Sequence, residues 1–365
     1  MTRKLSLLAT TIGAVAFTVS PLWAIDIVTR KSTTKQVQGE IGAISKTEVT
    51  VKPRNGEPDK IPANDIANIK WDGEPAKLNI ARGNEDRGLF GQALDAYTEV
   101  HKDASGKLKT HLEFLIARTL AKQALEDASK IDEAIKKLEA FSKNEHFAHF
   151  ETMSYLGQVY AAKGDFAKSQ AAYEALGKAP WNDFKMASKI AVGRMQLKQN
   201  DIAGAEKTFS EAASGKAETD AEKARLAEAQ VGKAACLVKQ MKIDDGLKLI
   251  EEVIKTTSVD EARAMSEAYV IQGDCLQAQQ KLKEAAIAYL HVPVLFPKEK
   301  SAHAEALYNL AKISGAIGQP DRAAEAREDL LSLFPESEWV KKLGDAPAAA
   351  TEEKSTEKST EKSEK

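Results

Sequence analysis

Cysteine is almost missing from this chain: Cys236 and Cys275 are the only two in 365 residues. A disulfide-stapled scaffold is thereby excluded, and the fold has to be held by apolar burial. Aromatic side chains are also scarce, at 6% of the sequence. Neither sign of charge dominates: 52 basic residues face 54 acidic ones, for a net charge of −2. That balance offers no field to gather nucleic acid or another polyanion. Catalytic signatures are absent too. The sequence has no GxSxG elbow, no GxxxxGK[ST] loop, no HExxH and no GxGxxG. No catalytic residue and no cofactor follow from it, and the chain reads as a non-enzyme.

What is present divides the chain into four stretches. Arg3 and Lys4 precede the apolar run "LSLLATTIGAVAFTVSPLWA", with Pro21 just before the small Ala24. This is the pattern of a secretory signal peptide over residues 1–24, cleaved after Ala24. The alternative is an uncleaved anchor, because the run approaches the length of about 20 residues that spans a bilayer. Either way the remainder is expected outside the cytoplasm, periplasmic or secreted at the cell envelope. No later run is apolar enough to span a membrane, and no cysteine near the junction invites lipid attachment.

Residues 25–72 alternate as strands do, in "DIVTR", "VQGEIGAI", "TEVTVKP" and "DKIPANDIANIKW", with "RNGEPD" as turn material. Gly39 and Gly42 are placed to let a small sheet bend, and Pro62 interrupts the last run. The expectation is a small antiparallel β domain, similar in pattern to SH3-like or Sm-like barrels. Trp71 is its single aromatic, which weakens a nucleic-acid role and gives thin support to a cell-wall or polysaccharide-binding role. At the other end, residues 345–365 repeat "STEK" without an aromatic or branched aliphatic side chain, as disordered tails do.

Between them lies a helical composition, rich in Ala, Leu, Lys and Glu, with an internal repeat. In "YLGQVYAAKGDFAKSQAAY", small Gly157 and Ser169 mark the contact of two antiparallel helices. Gly164 supplies the turn between them, and Tyr160, Phe166 and Tyr173 fill the surrounding space. The frame recurs along the chain, and its small second-helix residues Ser169, Ala205, Gly246, Ala285 and Ala323 stand 36, 41, 39 and 38 positions apart. The spacing resembles the tetratricopeptide repeat, whose unit is about 34 residues. Departures occur in the second hairpin, with Lys122 at a small position and no turn glycine, and in the fifth, with Met241 in the turn. Arg327 replaces an aromatic in the last. The resemblance implies a mainly α protein: a right-handed α-solenoid of about seven hairpins over residues 73–344, preceded by the β domain.

It also implies a non-enzymatic scaffold that binds a protein or peptide on its concave face. In that family the second, fifth, ninth, twelfth and thirteenth positions of each unit line the groove. The matching residues given by that count include Gln158, Ile190, Arg194, Lys198, Val231, Val238, Lys239, Val270, Asp274, Gln277, Tyr308 and Lys312. The three valines form an apolar strip, and Arg194, Lys198 and Lys239 a basic flank, which would suit a peptide or amphipathic helix with some acidic character. Two other groups deserve placement. His146 and His149 in "NEHFAHFE" are spaced to chelate a metal, but a catalytic zinc site needs a third protein ligand and none is indicated. Cys236 and Cys275 occupy the same position in successive units. Neighbouring helices pack about 8 to 10 Å apart, beyond the reach of a disulfide at about 7 Å, so separate thiols are expected.

Overall fold

The computed structural model describes residues 25–344 apart from Thr34. The leader and the STEK tail lie outside the described residues. Two compact units emerge. One carries the strands, runs to Asn79 and takes in Glu145–Phe147; the other holds Ile80–Asn144 and the chain from Ala148 onward.

In the first unit five strands form one antiparallel sheet: β1 (Asp26–Arg30), β2 (Gln36–Ile44), β3 (Glu48–Lys52), β4 (Asp59–Pro62) and β5 (Ile66–Lys70), in the order β4-β3-β2-β1-β5. Alternation places Val28, Ile41, Val49, Val51, Ile61 and Ile69 inside. β2 pairs with β1 along its first half and with β3 along its second, and the register slips between Ile41 and Ile44. Gly39 is required at this bend, since a Cβ there would lie 2.2 Å from the Lys52 carbonyl oxygen. Pro62 closes the edge strand β4, where its missing N–H costs no inner ladder bond. A 3-10 turn, Ala63–Asp65, then leads into β5. The Asp65 carboxylate accepts from Arg30 Nε at 2.6 Å and from the Ser32 amide at 2.7 Å, fixing that corner.

The helical unit runs as consecutive pairs: α1 (Lys77–Asp86) and α2 (Phe90–Asp103), α3 (Gly106–Ala124) and α4 (Ile131–Phe141), α5 (His149–Lys163) and α6 (Phe166–Leu176), α7 (Asn182–Lys198) and α8 (Ile202–Ala213). Then come α9 (Asp220–Lys239) and α10 (Ile243–Thr256), α11 (Ala262–Ala278) and α12 (Leu282–Leu295), and α13 (Lys300–Ile313) and α14 (Pro320–Leu333), closed by the short α15 (Glu338–Gly344). α1 begins at the edge of the β unit and ends in the helical one.

Three hairpins, α5–α6, α7–α8 and α11–α12, close because one helix offers almost no side chain where the other places an aromatic. A Cβ on Gly157 would fall 2.2 Å from Tyr173, one on Gly273 2.4 Å from Tyr289, and one on Gly193 2.9 Å from Phe209. The Ser169 hydroxyl donates to the Gly157 carbonyl at 2.8 Å across the same contact. The intervening turn needs a left-handed residue, supplied by Gly164 at φ 86° and Gly318 at φ 78°. Asn200, Met241 and Gln280 hold the equivalent turns at φ 61° without glycine. At Met241 and Gln280 the turn geometry is therefore imposed by packing against local steric preference, whereas asparagine takes the left-handed region readily.

Where the sequence departs from the repeat, the structure supplies a reason. Lys122 donates to the buried Glu85 carboxylate at 2.8 Å, which Arg118 also grips through two bonds of 2.8 and 2.7 Å. In place of a turn glycine, the α3–α4 connection uses Asp127, whose carboxylate accepts from the Ser129 amide at 2.9 Å. The 41-residue interval spans α9, which is 20 residues long and opens on a capping box between Thr219 and Glu222. The last repeat, with Arg327, is covered by α15, where Leu343 is buried and Trp339 meets Tyr308 at 5.1 Å.

Three substitutions test this account by urea or thermal unfolding. Gly157→Ala should cost about 1–3 kcal/mol, as overpacking against an aromatic does, whereas Gly83→Ala, with nothing within 4 Å, should be neutral or slightly stabilising. Met241→Gly relieves the left-handed strain and should gain about 1 kcal/mol, part of the relief being offset by glycine's greater unfolded-state entropy.

Candidate partner-binding cleft

First helices of successive hairpins touch one another: α7 with α9, α9 with α11, and α11 with α13. Residues at equal repeat positions therefore fall into columns along one face. On that face the helical unit opens a cleft of about 320 Å³, lined by these four helices and Phe209 of α8 and floored by Val231, Val238, Val270 and Ile271.

Six of the twelve sequence candidates line this single cleft: Arg194, Val231, Val238, Lys239, Val270 and Asp274. The others lie elsewhere. Ile190 is 1% exposed and packs in the core with Phe209, so it presents nothing to a partner. Gln158, on α5, turns back to its own helix and donates to the Ser154 carbonyl at 3.3 Å. Gln277 accepts from Tyr289 Oη at 3.1 Å, supporting the hairpin contact. Lys198 is exposed and does not line the cleft. Tyr308 is engaged with Trp339, and the Lys312 ammonium lies 5.1 Å from the centre of the Tyr308 ring.

Electrostatics inside the cleft differ from the expected basic flank. Arg194 is committed: Nη1 donates to Glu228 at 2.9 Å and Nη2 to Glu267 at 2.8 Å. Arg225 also pairs with Glu228, and Arg263 approaches Glu267 at 3.4 Å. Burial alone would raise the Glu228 carboxyl, but Arg194, Arg225 and Arg263 together hold it below the ordinary carboxylate range. Asp274 behaves oppositely. Burial raises it, and the hydrogen bond from Tyr289 Oη at 2.7 Å with the charges of Lys239 and Lys312 offsets this only in part. Glu305 is pushed up to about 8, first by burial and then by Asp274, with Glu338 and Glu267 adding to the rise and Lys342 opposing it. Glu305, Glu267 and Ala235 also line the cleft and were passed over in the sequence. The signal was there: Glu228, Glu267 and Glu305 sit six residues before Ala234, Gly273 and Ala311, at the second position of their units.

Most of the remaining candidates are buried. His146 is 1% exposed, and desolvation pushes its ring down to about 3. The His149 Nδ1 lies 3.2 Å from the Ser142 carbonyl oxygen. Among the described residues no three His, Cys, Asp or Glu side chains converge as metal ligands would. Trp71 is buried at 6% exposure, so the single aromatic of the β domain is no platform for a sugar ring or base. Cys236 and Cys275 are separate, buried thiols, as the helix spacing led us to expect. Burial drives them up to about 11 and 12.

The family model for the tetratricopeptide repeat matches residues 120–183, from the end of α3 through α4, α5 and α6 to the first residues of α7. The helical unit has a tetratricopeptide-like fold. Its fold is similar to that of a tetratricopeptide repeat protein from Parabacteroides merdae, at 16% identity and a TM-score of 0.50, covering 73% of this chain and 95% of that one. It is equally similar to a Rap protein crystallised in complex with competence and sporulation factor, at 14% identity and a TM-score of 0.50, with 73% and 79% covered. At these identities the likeness is one of fold. No curated protein matches the sequence. Among the described residues of the array, no helix is long and apolar enough to cross a membrane.

The raised carboxyl in the array's cleft has a measurable signature. Glu305 keeps its proton in the folded state from its ordinary value of 4.5 up to about 8. Its contribution to stability is thus complete below 4.5 and is lost as pH rises through 8. Glu305→Gln should melt higher than the parent above pH 8 and together with it near pH 4.5; a constant difference across that window would refute the assignment.

Proposed function

We propose that this chain is an exported, non-enzymatic scaffold that holds a partner protein or peptide in the groove of its tetratricopeptide array. The observation that carries the reading is the cleft. Four first helices converge on an apolar floor flanked by charged side chains, the composition through which grooves of stacked helices engage extended or helical peptides. The Rap protein of similar fold was solved with a bound factor, which supports the reading by analogy of fold. Export rests on the leader pattern of residues 1–24, and the partner is sought accordingly in the periplasm or envelope.

The test fills the cleft without disturbing its charges. Ala235 lines the opening and is partly exposed, so Ala235→Phe should occlude it while the fold persists. Crosslinking capture from an envelope extract, followed by mass spectrometry, should return a small set of proteins with the parent chain and lose them with the variant at equal melting temperature. Capture that survives Ala235→Phe would remove the function from this groove.

A further inference from the structure

The second-position glutamates form a column, and its members are treated unequally. Glu228 and Glu267 lie one repeat apart and share Arg194, which stands at the ninth position of the α7 repeat. Stepping that arrangement on by one repeat moves the pair to Glu267 and Glu305, and moves the ninth position from Arg194 to Ala235. The side chain that would bridge the second pair is a methyl group. One repeat further, the ninth position is Asp274, which adds a carboxylate to the same space instead of a cation. Ala235, Glu267, Asp274 and Glu305 all line the cleft, and the apolar floor lies beside them.

Glu305 and Asp274 are accordingly left without an ion-pair partner. Asp274 accepts from Tyr289 Oη at 2.7 Å and from Asn309 Nδ2 at 3.5 Å, both neutral donors. Among the described residues no lysine or arginine comes within ion-pair distance of either carboxylate, while Glu228 and Glu267 are both paired with arginines. Buried carboxyl groups without a cation are costly, and a planar guanidinium that meets two of them recovers that cost.

We infer that the cleft receives an arginine side chain of the partner, its guanidinium meeting Glu305 and Asp274 below Ala235, with an apolar neighbour of that arginine on the valine floor. The inference rests on the groove reading above and specifies its partner chemistry: basic and apolar, where the sequence alone suggested some acidic character. The guanidinium completes, from outside, the repeat pattern that Arg194 completes from within.

The probe is a fluorescein-labelled pentapeptide, Val-Arg-Val-Arg-Val, compared with the same peptide carrying citrulline, which keeps arginine's shape without its charge, and with its glutamate counterpart. Titrated by anisotropy against the full chain, the arginine peptide should bind at least tenfold more tightly than either. Measured at pH 8.5, above the raised Glu305 value, two variants should erase that margin: Glu305→Gln, which removes the charge, and Ala235→Arg, which supplies the guanidinium internally. Both should melt at or above the parent temperature at pH 8.5, so that lost binding is not lost folding. Equal affinity for arginine and citrulline peptides, tighter binding of the glutamate peptide, or an arginine margin that survives Ala235→Arg would each overturn the inference. So would failure of every peptide to bind. If client capture remains sensitive to Ala235→Phe in those cases, the groove reading stands and only the arginine assignment falls; if capture is insensitive, the groove reading fails on its own test.

Discussion

The close approach of two helices through a residue with almost no side chain is the constraint on which the rest depends. Gly157, Gly193 and Gly273 let Tyr173, Phe209 and Tyr289 lie directly on a neighbouring backbone. With the hairpin closed at that distance, its partly apolar faces are buried only by the next hairpin, and stacking follows. Stacking then brings first helices alongside one another. Positions that are 38 or 39 residues apart in the chain, such as Glu228, Glu267 and Glu305, become neighbours along one face. The cleft has no dedicated loop or domain; it arises from the periodicity of packing.

Once residues fall into columns, charges within a column must be compensated there. Two compensated clusters are visible. Glu85 is buried with Arg118 and Lys122, which overcome the desolvation that would otherwise raise it. Arg194 with Glu228 and Glu267 forms the second. Such networks add little net stability compared with well-packed apolar groups, but breaking one leaves a buried charge alone and costs several kcal/mol. They tie α1 to α3 and α7 to α9 and α11. Asp274 and Glu305 break this pattern in a cleft that opens to solvent.

Much of this was legible from the residues alone. The hairpins around Gly157 and Gly273 declare themselves through small and aromatic residues at fixed spacing, and the strands of the first unit through alternation and turn chemistry. The groove count found half of its residues in one cleft. It overreached at Ile190, which is packed in the core with Phe209 of its own hairpin. It fell short at Glu305, which the same count places beside Tyr308. The free basic flank assigned to Arg194 was misread for a different reason: its carboxylate partners are 34 and 73 residues away, and pattern reasoning on one segment does not see them. Met241 and Gln280 hid their turns for a related reason, since tertiary packing dictates a backbone conformation their own preferences oppose.

Cys236 and Cys275 acquire a use from where they sit. Each lies on a first helix of adjacent repeats, fully enclosed, with a thiol far less acidic than a free cysteine. Thiolate is the reactive form, so in the closed array both are chemically silent even in an oxidising compartment. Their rate of alkylation then measures how often α9 and α11 part from their neighbours. The array thus carries two built-in clocks for local opening, at the repeats that line the cleft.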